Sequence, residues 1–294
     1  MTTAIVTDSN VSLPPELLAA LPVFVVPMEI HHDGQVFRDG VDLTPSAFYD
    51  LQRTAKRMPT TSAPQPGAFA EAFERAAQAA DEIVCLTLSS ELSATYAAAI
   101  SAREVASGSL PGVRIEIVDS RSAGTAQGLV ALAAGRLASR GVDTETLLLN
   151  IGHWRSSVRL YGYLQSLYYV WKGGRVPRVL MWMGKLLDVK PVLGLADGKI
   201  GMVERPRTER RAMDRLVALA MEAALAIESA GGARAMIAVM HAAAPDAAEA
   251  LAERLRAALT PDELFTTEFT PVIGAHTGPG LVGFSILRHD TPGT

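Results

Sequence analysis

Between Thr87 and Tyr96, six hydroxyl side chains fall within ten residues: Thr87, Ser89, Ser90, Ser93, Thr95 and Tyr96. An apolar run, Ile83-Val84-Cys85-Leu86, precedes them, and an alanine-rich run follows. A strand that gives way to a helix leaves the first helical N–H groups without internal partners. Two chemistries suit hydroxyls in that place. One is nucleophilic attack by a serine, which needs a base in reach and an oxyanion hole. The other is a cradle for a carboxylate or phosphate, held by N–H and hydroxyl donors at the positive end of the helix dipole. Ser93 is the candidate for both. The G-x-S-x-G elbow is missing, because Glu91 and Thr95 stand where its glycines would. A hydrolase would have to bring His276 to Ser93 through the fold. The cradle is the stronger reading, and Ser93 then acts as a hydrogen-bond donor.

Similar chemistry ends other apolar runs. The first ends Thr7-Asp8-Ser9 and a later one ends Asp119-Ser120. Taken singly, each is explained by helix capping, since Ser and Asp favour helix starts. Taken together they crowd one sheet edge, where open α/β sheets bind their ligands. Thr60-Thr61-Ser62 lies in a proline-rich loop just before a helix, so its hydroxyls are preset by a stiff backbone. Lys172-Gly173-Gly174-Arg175 is a turn that can carry a cation to a ligand. Arg205 and Arg207 open a helix together with Arg210 and Arg211. His276-Thr277-Gly278-Pro279-Gly280 reads as an exposed turn between two strands. Tyr161, Tyr163, Tyr168, Tyr169 and Trp171, with Leu180-Met181-Trp182-Met183 and Leu186-Leu187, supply either plain core or an adaptable apolar pocket. The sequence contains no G-x-x-x-x-G-K-[ST], no G-x-G-x-x-G that leads from a strand into a helix and no H-E-x-x-H, so nucleotide and metal sites have no motif behind them.

The elements that must position these residues follow from periodicity. In the first half, short strands alternate with helices: 4–7, 83–86 and 115–118 are extended, while 93–106 and 123–139 carry apolar residues at helical spacing. Ser12 reads as the cap of a short helix, and Thr44-Pro45 as a cap followed by an N1 proline. Val23–Ile30 reads as one extended run. Alternation of this kind implies βαβ units and a parallel sheet flanked by helices. The second half differs. Asp197-Gly198 between two extended runs marks a hairpin, a long helix follows Pro206, and strands are expected at 235–240, 264–273 and 281–287. The fold class is therefore α/β: an N-terminal parallel α/β/α unit over 1–150 and an α+β unit with a mixed sheet over 151–294.

The chain has 294 residues, a net charge of −4 and 49% hydrophobic residues. It can bury a large core, and it lacks the basic excess of a nucleic-acid protein. Its one cysteine, Cys85, sits in an apolar strand and fits a small buried hydrophobe in a reducing cytoplasm. No leader pattern and no long apolar span are expected.

Taken in order, the motifs resemble one known family. They are Ile5-Val6-Thr7-Asp8-Ser9, Thr60-Thr61-Ser62 with its prolines, Leu88-Ser89-Ser90-Glu91-Leu92-Ser93-Ala94-Thr95, Val118-Asp119-Ser120, Lys172-Gly173-Gly174-Arg175, Lys190-Pro191-Val192-Leu193 and His276-Thr277-Gly278-Pro279-Gly280. This set resembles the DegV family, which includes the fatty-acid-binding subunits of bacterial fatty acid kinase. The resemblance implies a fatty acid buried between two units, the first carrying the carboxylate-binding hydroxyls and the second covering the acyl chain. By position, the carboxylate falls to Thr61, Ser62, Ser93 and the backbone N–H of Ala94, with His276 and Arg175 nearby. Arg205 or Arg207 becomes the candidate for partner docking or phosphoryl transfer. The implied partner is a separate ATP-dependent kinase subunit of the Dak type, with transient membrane contact serving lipid exchange. No resident cofactor, metal or catalytic residue is implied. The rival readings are a serine acyl hydrolase using Ser93 and His276, and a regulatory binder of another acidic lipid. Two departures stand out. Ala63 follows Thr61-Ser62 where the family usually has Gln, and Glu91 and Ala94 replace two glycines at the helix start, narrowing backbone freedom there.

Overall fold

A computed structural model describes residues 1–176, 189–229 and 235–288. Leu180–Met183, Leu186 and Leu187 lie outside the described residues. The first sheet is parallel. It is built from β1 (Thr3–Asp8), β2 (Val23–Val26), β6 (Glu82–Thr87) and β7 (Arg114–Asp119), in the order β2-β1-β6-β7. Helices α3 (Pro66–Ala77) and α4 (Thr95–Ser109) pack together on one face through Phe69, Phe73, Ala99 and Ala102, all fully buried. Because the strands run the same way, Asp8, Thr87 and Asp119 finish at one edge, as the alternation predicts.

A small antiparallel sheet was not legible in advance. It joins β3 (Glu29–His32), β4 (Gln35–Arg38) and β5 (Thr60–Ser62) in the order β4-β3-β5. The extended run at 23–30 is thus two strands in two sheets, and the proline-rich hydroxyl loop contains a strand. Pro59 and Pro64 confine β5 to three residues, too few to show a period, and its pairing to β3 is non-local.

The second large sheet is mixed, in the order β10-β9-β8-β13-β11-β12. Its strands are β8 (Arg159–Tyr163), β9 (Val192–Ala196), β10 (Lys199–Glu204), β11 (Ala235–His241), β12 (Glu263–Glu268) and β13 (Val282–Arg288). Only β11 and β12 pair in parallel; the other neighbours are antiparallel. The expected Asp197-Gly198 hairpin joins β9 to β10, with positive φ at both residues. Helices α8 (Glu209–Ser229) and α9 (Pro245–Leu259) cover this sheet with Leu216, Ala220, Leu251 and Leu255.

One helix serves both large sheets. α5 (Gly124–Ser139) touches β1 and β6 on one side and β8, β11 and β13 on the other. It is buried from Gly124 to Gly135 without a break. A helix between two layers must be apolar all round and small where backbones approach. A Cβ on Gly128 would collide with the Val11 carbonyl oxygen and Leu13, and one on Gly135 with Val23. α6 (Thr144–Ser157) runs through residue 150, and its Leu147 and Ile151 share a core with Met236, Ala238 and Leu287.

Candidate functional site

The strand-end cluster divides into residues that stitch loops and residues that face a cavity. Asp8 is fully buried and accepts from the Leu88 N–H at 2.7 Å, the Asn10 N–H at 3.1 Å and Gln127 Nε2 at 3.2 Å. Burial outweighs those bonds and pushes its carboxyl up to about 6. Asp119 takes the Ser90 hydroxyl at 2.6 Å and the Arg121 N–H at 2.7 Å. Ser89 donates to the Gly198 carbonyl at 3.1 Å. Ser120 donates to the Ser122 carbonyl at 3.2 Å. These groups fix the loops rather than cap the helices that follow: Asp8 caps only a short 3-10 turn, and α4 and α5 start without a side-chain cap. Ser12 caps no helix: at φ 46° it closes a short 3-10 turn, and α1 (Pro15–Leu18) starts on its own proline.

Two adjoining cavities lie over this edge. The first is walled by Leu160, Leu193 and Met240 of the mixed sheet, by Leu164 and Leu281 beside its strands, and by Val170 of the helix Tyr168–Gly173. The second is lined by Asn10, Thr61, Ser62 and Ser93 together with Met28 and Leu88. Ala123, Arg175, Ile200, Ile273, His276 and Thr277 line both, so the cavities share a wall. The result is one hollow with a hydroxyl-bearing end and an apolar end.

His276 stands in that shared wall, on a helix and not in an exposed turn. The expected strand 264–273 stops as β12 at Glu268, and α10 (Pro271–Thr277) begins after Thr270. His276 is in its last turn and largely enclosed. Its Nε2 lies 2.7 Å from Thr61 Oγ1. Burial first, and then the Arg175 charge, pushes the imidazole down to about 4, so it is neutral near pH 7. Nδ1 is buried without a hydrogen-bond partner. A proton on Nε2 therefore avoids orphaning a buried donor. Nε2–H then donates to Thr61, and the Thr61 hydroxyl proton points elsewhere, free for an acceptor in the cavity. Gly173 makes room for this ring, since a Cβ there would clash with Nδ1.

Ser93 precedes α4. Its Oγ lies 2.8 Å from Thr95 Oγ1 and accepts from the Thr95 N–H at 3.3 Å. His276 Nε2 is engaged with Thr61 and Ser93 Oγ with Thr95, so a Ser93–His276 acyl-transfer pair has no geometric basis. Ala94 is exposed and lines neither cavity. Arg175 lines both while its Nη1 bonds the Gly173 carbonyl at 2.8 Å. Arg205 and Arg207 are exposed in the connector between β10 and α8, outside both cavities. Asn10 and Ile200 were not singled out from sequence. Asn10 followed a recognised motif by one residue, whereas Ile200 sits on the hairpin and reaches the hollow only through the tertiary fold. Glu91, otherwise unexplained, faces Lys199 of that hairpin at 3.6 Å. Among the described residues no cluster of His, Cys, Asp or Glu could hold a metal, and no helix is long and apolar enough to cross a membrane.

The sequence matches the profile described as "Uncharacterised protein, DegV family" over residues 2–289. The chain belongs to the DegV family. A DegV domain-containing protein of Streptomyces coelicolor is 38% identical over 284 residues, 95% of this chain and 96% of the relative. A DegV family protein from Thermus thermophilus, described by its fatty acid binding, superposes with a TM-score of 0.89 at 30% identity. That match covers 98% of this chain and all of the other. A stearic-acid-binding protein from Eubacterium ventriosum gives a TM-score of 0.88 at 25% identity, covering 97% of this chain and 98% of the other. The DegV resemblance and the α/β architecture with an N-terminal parallel sheet and a C-terminal mixed sheet hold. Several solved DegV relatives are fatty-acid-binding proteins by description.

Proposed function

We propose that this DegV protein holds one long-chain fatty acid, with its carboxylate at the hydroxyl end of the hollow and its acyl chain in the apolar end. The observation that carries the reading is the joining of the two cavities at a wall that includes His276, whose ring holds Thr61 of the hydroxyl end. Thr61, oriented by neutral His276, gives a directed donor to one carboxylate oxygen, and Ser93 at the start of α4 gives a second. Arg175 brings positive charge to the shared wall. Each buried methylene contributes about 0.8 kcal/mol, so a long chain supplies most of the affinity. The head group needs only enough hydrogen bonds to offset desolvation. Fatty acid binding by relatives of the same fold supports this assignment.

On the same reading, the protein presents the carboxylate to a separate ATP-dependent kinase subunit of the Dak type, which forms the acyl phosphate. Exposed Arg205 and Arg207 are the candidate docking groups, and transient membrane contact serves lipid exchange. Protein purified from its own cells, denatured and extracted, is expected to release close to one fatty acid per chain by mass spectrometry. Recovery of none, or of a different acidic lipid, sinks the reading. With fatty acid, ATP and a Dak-type subunit, acyl phosphate is expected to be trapped as a hydroxamate, and none should form without that subunit.

A further inference from the structure

Ser62 sits in the head-group wall, but its hydroxyl proton is already committed. Across the β3–β5 ladder Ser62 pairs directly with Glu29. Ser62 Oγ donates to Glu29 Oε2 at 2.8 Å. A carboxylate only accepts, and a hydroxyl has a single proton, so Ser62 has none left to give. His31, two residues along β3 and on the same face, places Nε2 2.9 Å from Ser62 Oγ and 3.4 Å from the same Glu29 oxygen. Its Nε2–H fits as the donor to Ser62. Arg38, which pairs with Glu29 on the other side of β3, is committed to Asp42 through Nε at 2.9 Å and Nη2 at 2.8 Å. Thr61 faces the opposite way, toward His276. Neighbouring hydroxyls on one strand thus present opposite characters to the hollow: Thr61 as a donor, Ser62 as an acceptor.

Resting on the fatty acid reading, we propose that Glu29 and His31 are positioning residues that set the hydrogen-bonding sense of Ser62 and, through it, the head-group selectivity of the cavity. An acceptor beside the donors favours a head group that carries a proton of its own. It restrains affinity for a bare carboxylate. Neither Glu29 nor His31 lines the cavity, so their influence passes through Ser62. Release of the Ser62 proton converts that position into a further carboxylate donor.

The test uses oleate and its amide, oleamide, on the full chain, in a cycle of Glu29→Met, Ser62→Ala and the double variant. Glu29→Met removes the acceptor and leaves His31 to donate to Ser62. Its ratio of oleate to oleamide affinity is expected to rise about tenfold, the worth of one hydrogen bond. The ratio does not depend on the fraction of each variant that is folded. In the Ser62→Ala background the same change is expected to move the ratio less than about twofold. An equal rise in both backgrounds makes Glu29 a simple repulsive charge and overturns the proposal, as does no rise at all. If the parent chain binds neither probe, the fatty acid reading itself fails and this proposal falls with it.

Discussion

At the scale of the residue, the site depends on a histidine kept neutral and a hydroxyl turned by it. His276 holds Thr61 at 2.7 Å, and Gly173 leaves the space in which the ring lies. Thr61→Val preserves shape and β-propensity while removing the donor. It is expected to weaken oleate binding about tenfold to a hundredfold, the range for a hydrogen bond to a charged group, and to cost about 1–3 kcal/mol of stability because the buried His276 Nε2–H loses its acceptor. Gly173→Ala touches no ligand directly, but its methyl displaces the imidazole from Thr61. A loss of similar size is expected by titration calorimetry, and an unchanged affinity would show that the ring does not orient Thr61. The residue types were legible in the sequence: Thr61, Ser62, Ser93 and His276 all stood out as candidates. Their donor or acceptor sense was not: Glu29 and His31 carry no motif, and Gly173, though part of a recognised glycine turn, meets His276 only after α10 packs beside it.

At the scale of the element, buried carboxyls tie strand ends to helix starts. Asp39 accepts from Ser9 Oγ at 2.6 Å, just after β1, and from the Val272 N–H at 3.2 Å, in the first turn of α10. Burial raises its carboxyl from 3.8 to about 6. The folded state therefore holds this proton more tightly than the unfolded chain. The resulting stability is complete below about pH 4 and is lost as pH rises through 6. Urea unfolding is expected to show the parent losing about 2.4 kcal/mol relative to Asp39→Asn between pH 4 and pH 7. Parallel curves would refute the shift. The β9–β10 hairpin gives a second case. Its tip meets the first sheet's loops through Ser89 on Gly198 and Arg121 on Asp197 at 2.8 Å. Gly198 has φ +81°, and a Cβ there would lie 2.7 Å from Ser89 Oγ. Gly198→Ala is expected to cost about 1–2 kcal/mol in thermal unfolding. Arg121→Ala should cost under about 1 kcal/mol, since that ion pair is open to solvent. The hairpin itself was readable from Asp197-Gly198, and Thr44-Pro45 was read correctly as a helix start, its Thr44 hydroxyl capping the Ala47 N–H at 3.3 Å. The same pattern at Thr270-Pro271 lies inside an apolar run, so the sequence reads 264–273 as strand and 276–280 as a turn where α10 stands. Apolar runs this short have no period that separates the two.

At the scale of the whole molecule, the hollow exists because two sheets share α5. The sequence places Ala126, Leu129, Ala133 and Leu137 of that helix at helical spacing, and the residues between them are mostly small and apolar as well. The helix is buried all round because the mixed sheet covers the face that the parallel sheet leaves open; which sheet does so is not encoded locally. Ala123, at the N-terminal end of α5, consequently lines both cavities. If the hydroxyl end holds the carboxylate and the apolar end holds the chain, a long acid must pass Ala123 while a short one need not. Ala123→Phe narrows that passage without changing any polar group. Oleate is expected to lose at least tenfold in affinity, because several methylenes at about 0.8 kcal/mol each are denied burial. Hexanoate, short enough to remain near Thr61 and Ser93, should bind the variant within about twofold of its weak affinity for the parent. Parent and variant melting temperatures, measured without ligand, check that the α5 end still packs. At an oleate concentration well above both dissociation constants, the variant should gain at least about 1.4 kcal/mol less thermal stability than the parent, by the mass-action coupling of binding to folding. Equal loss for both acids would place the blockage at the head group, and equal retention would mean that the two cavities do not serve one ligand.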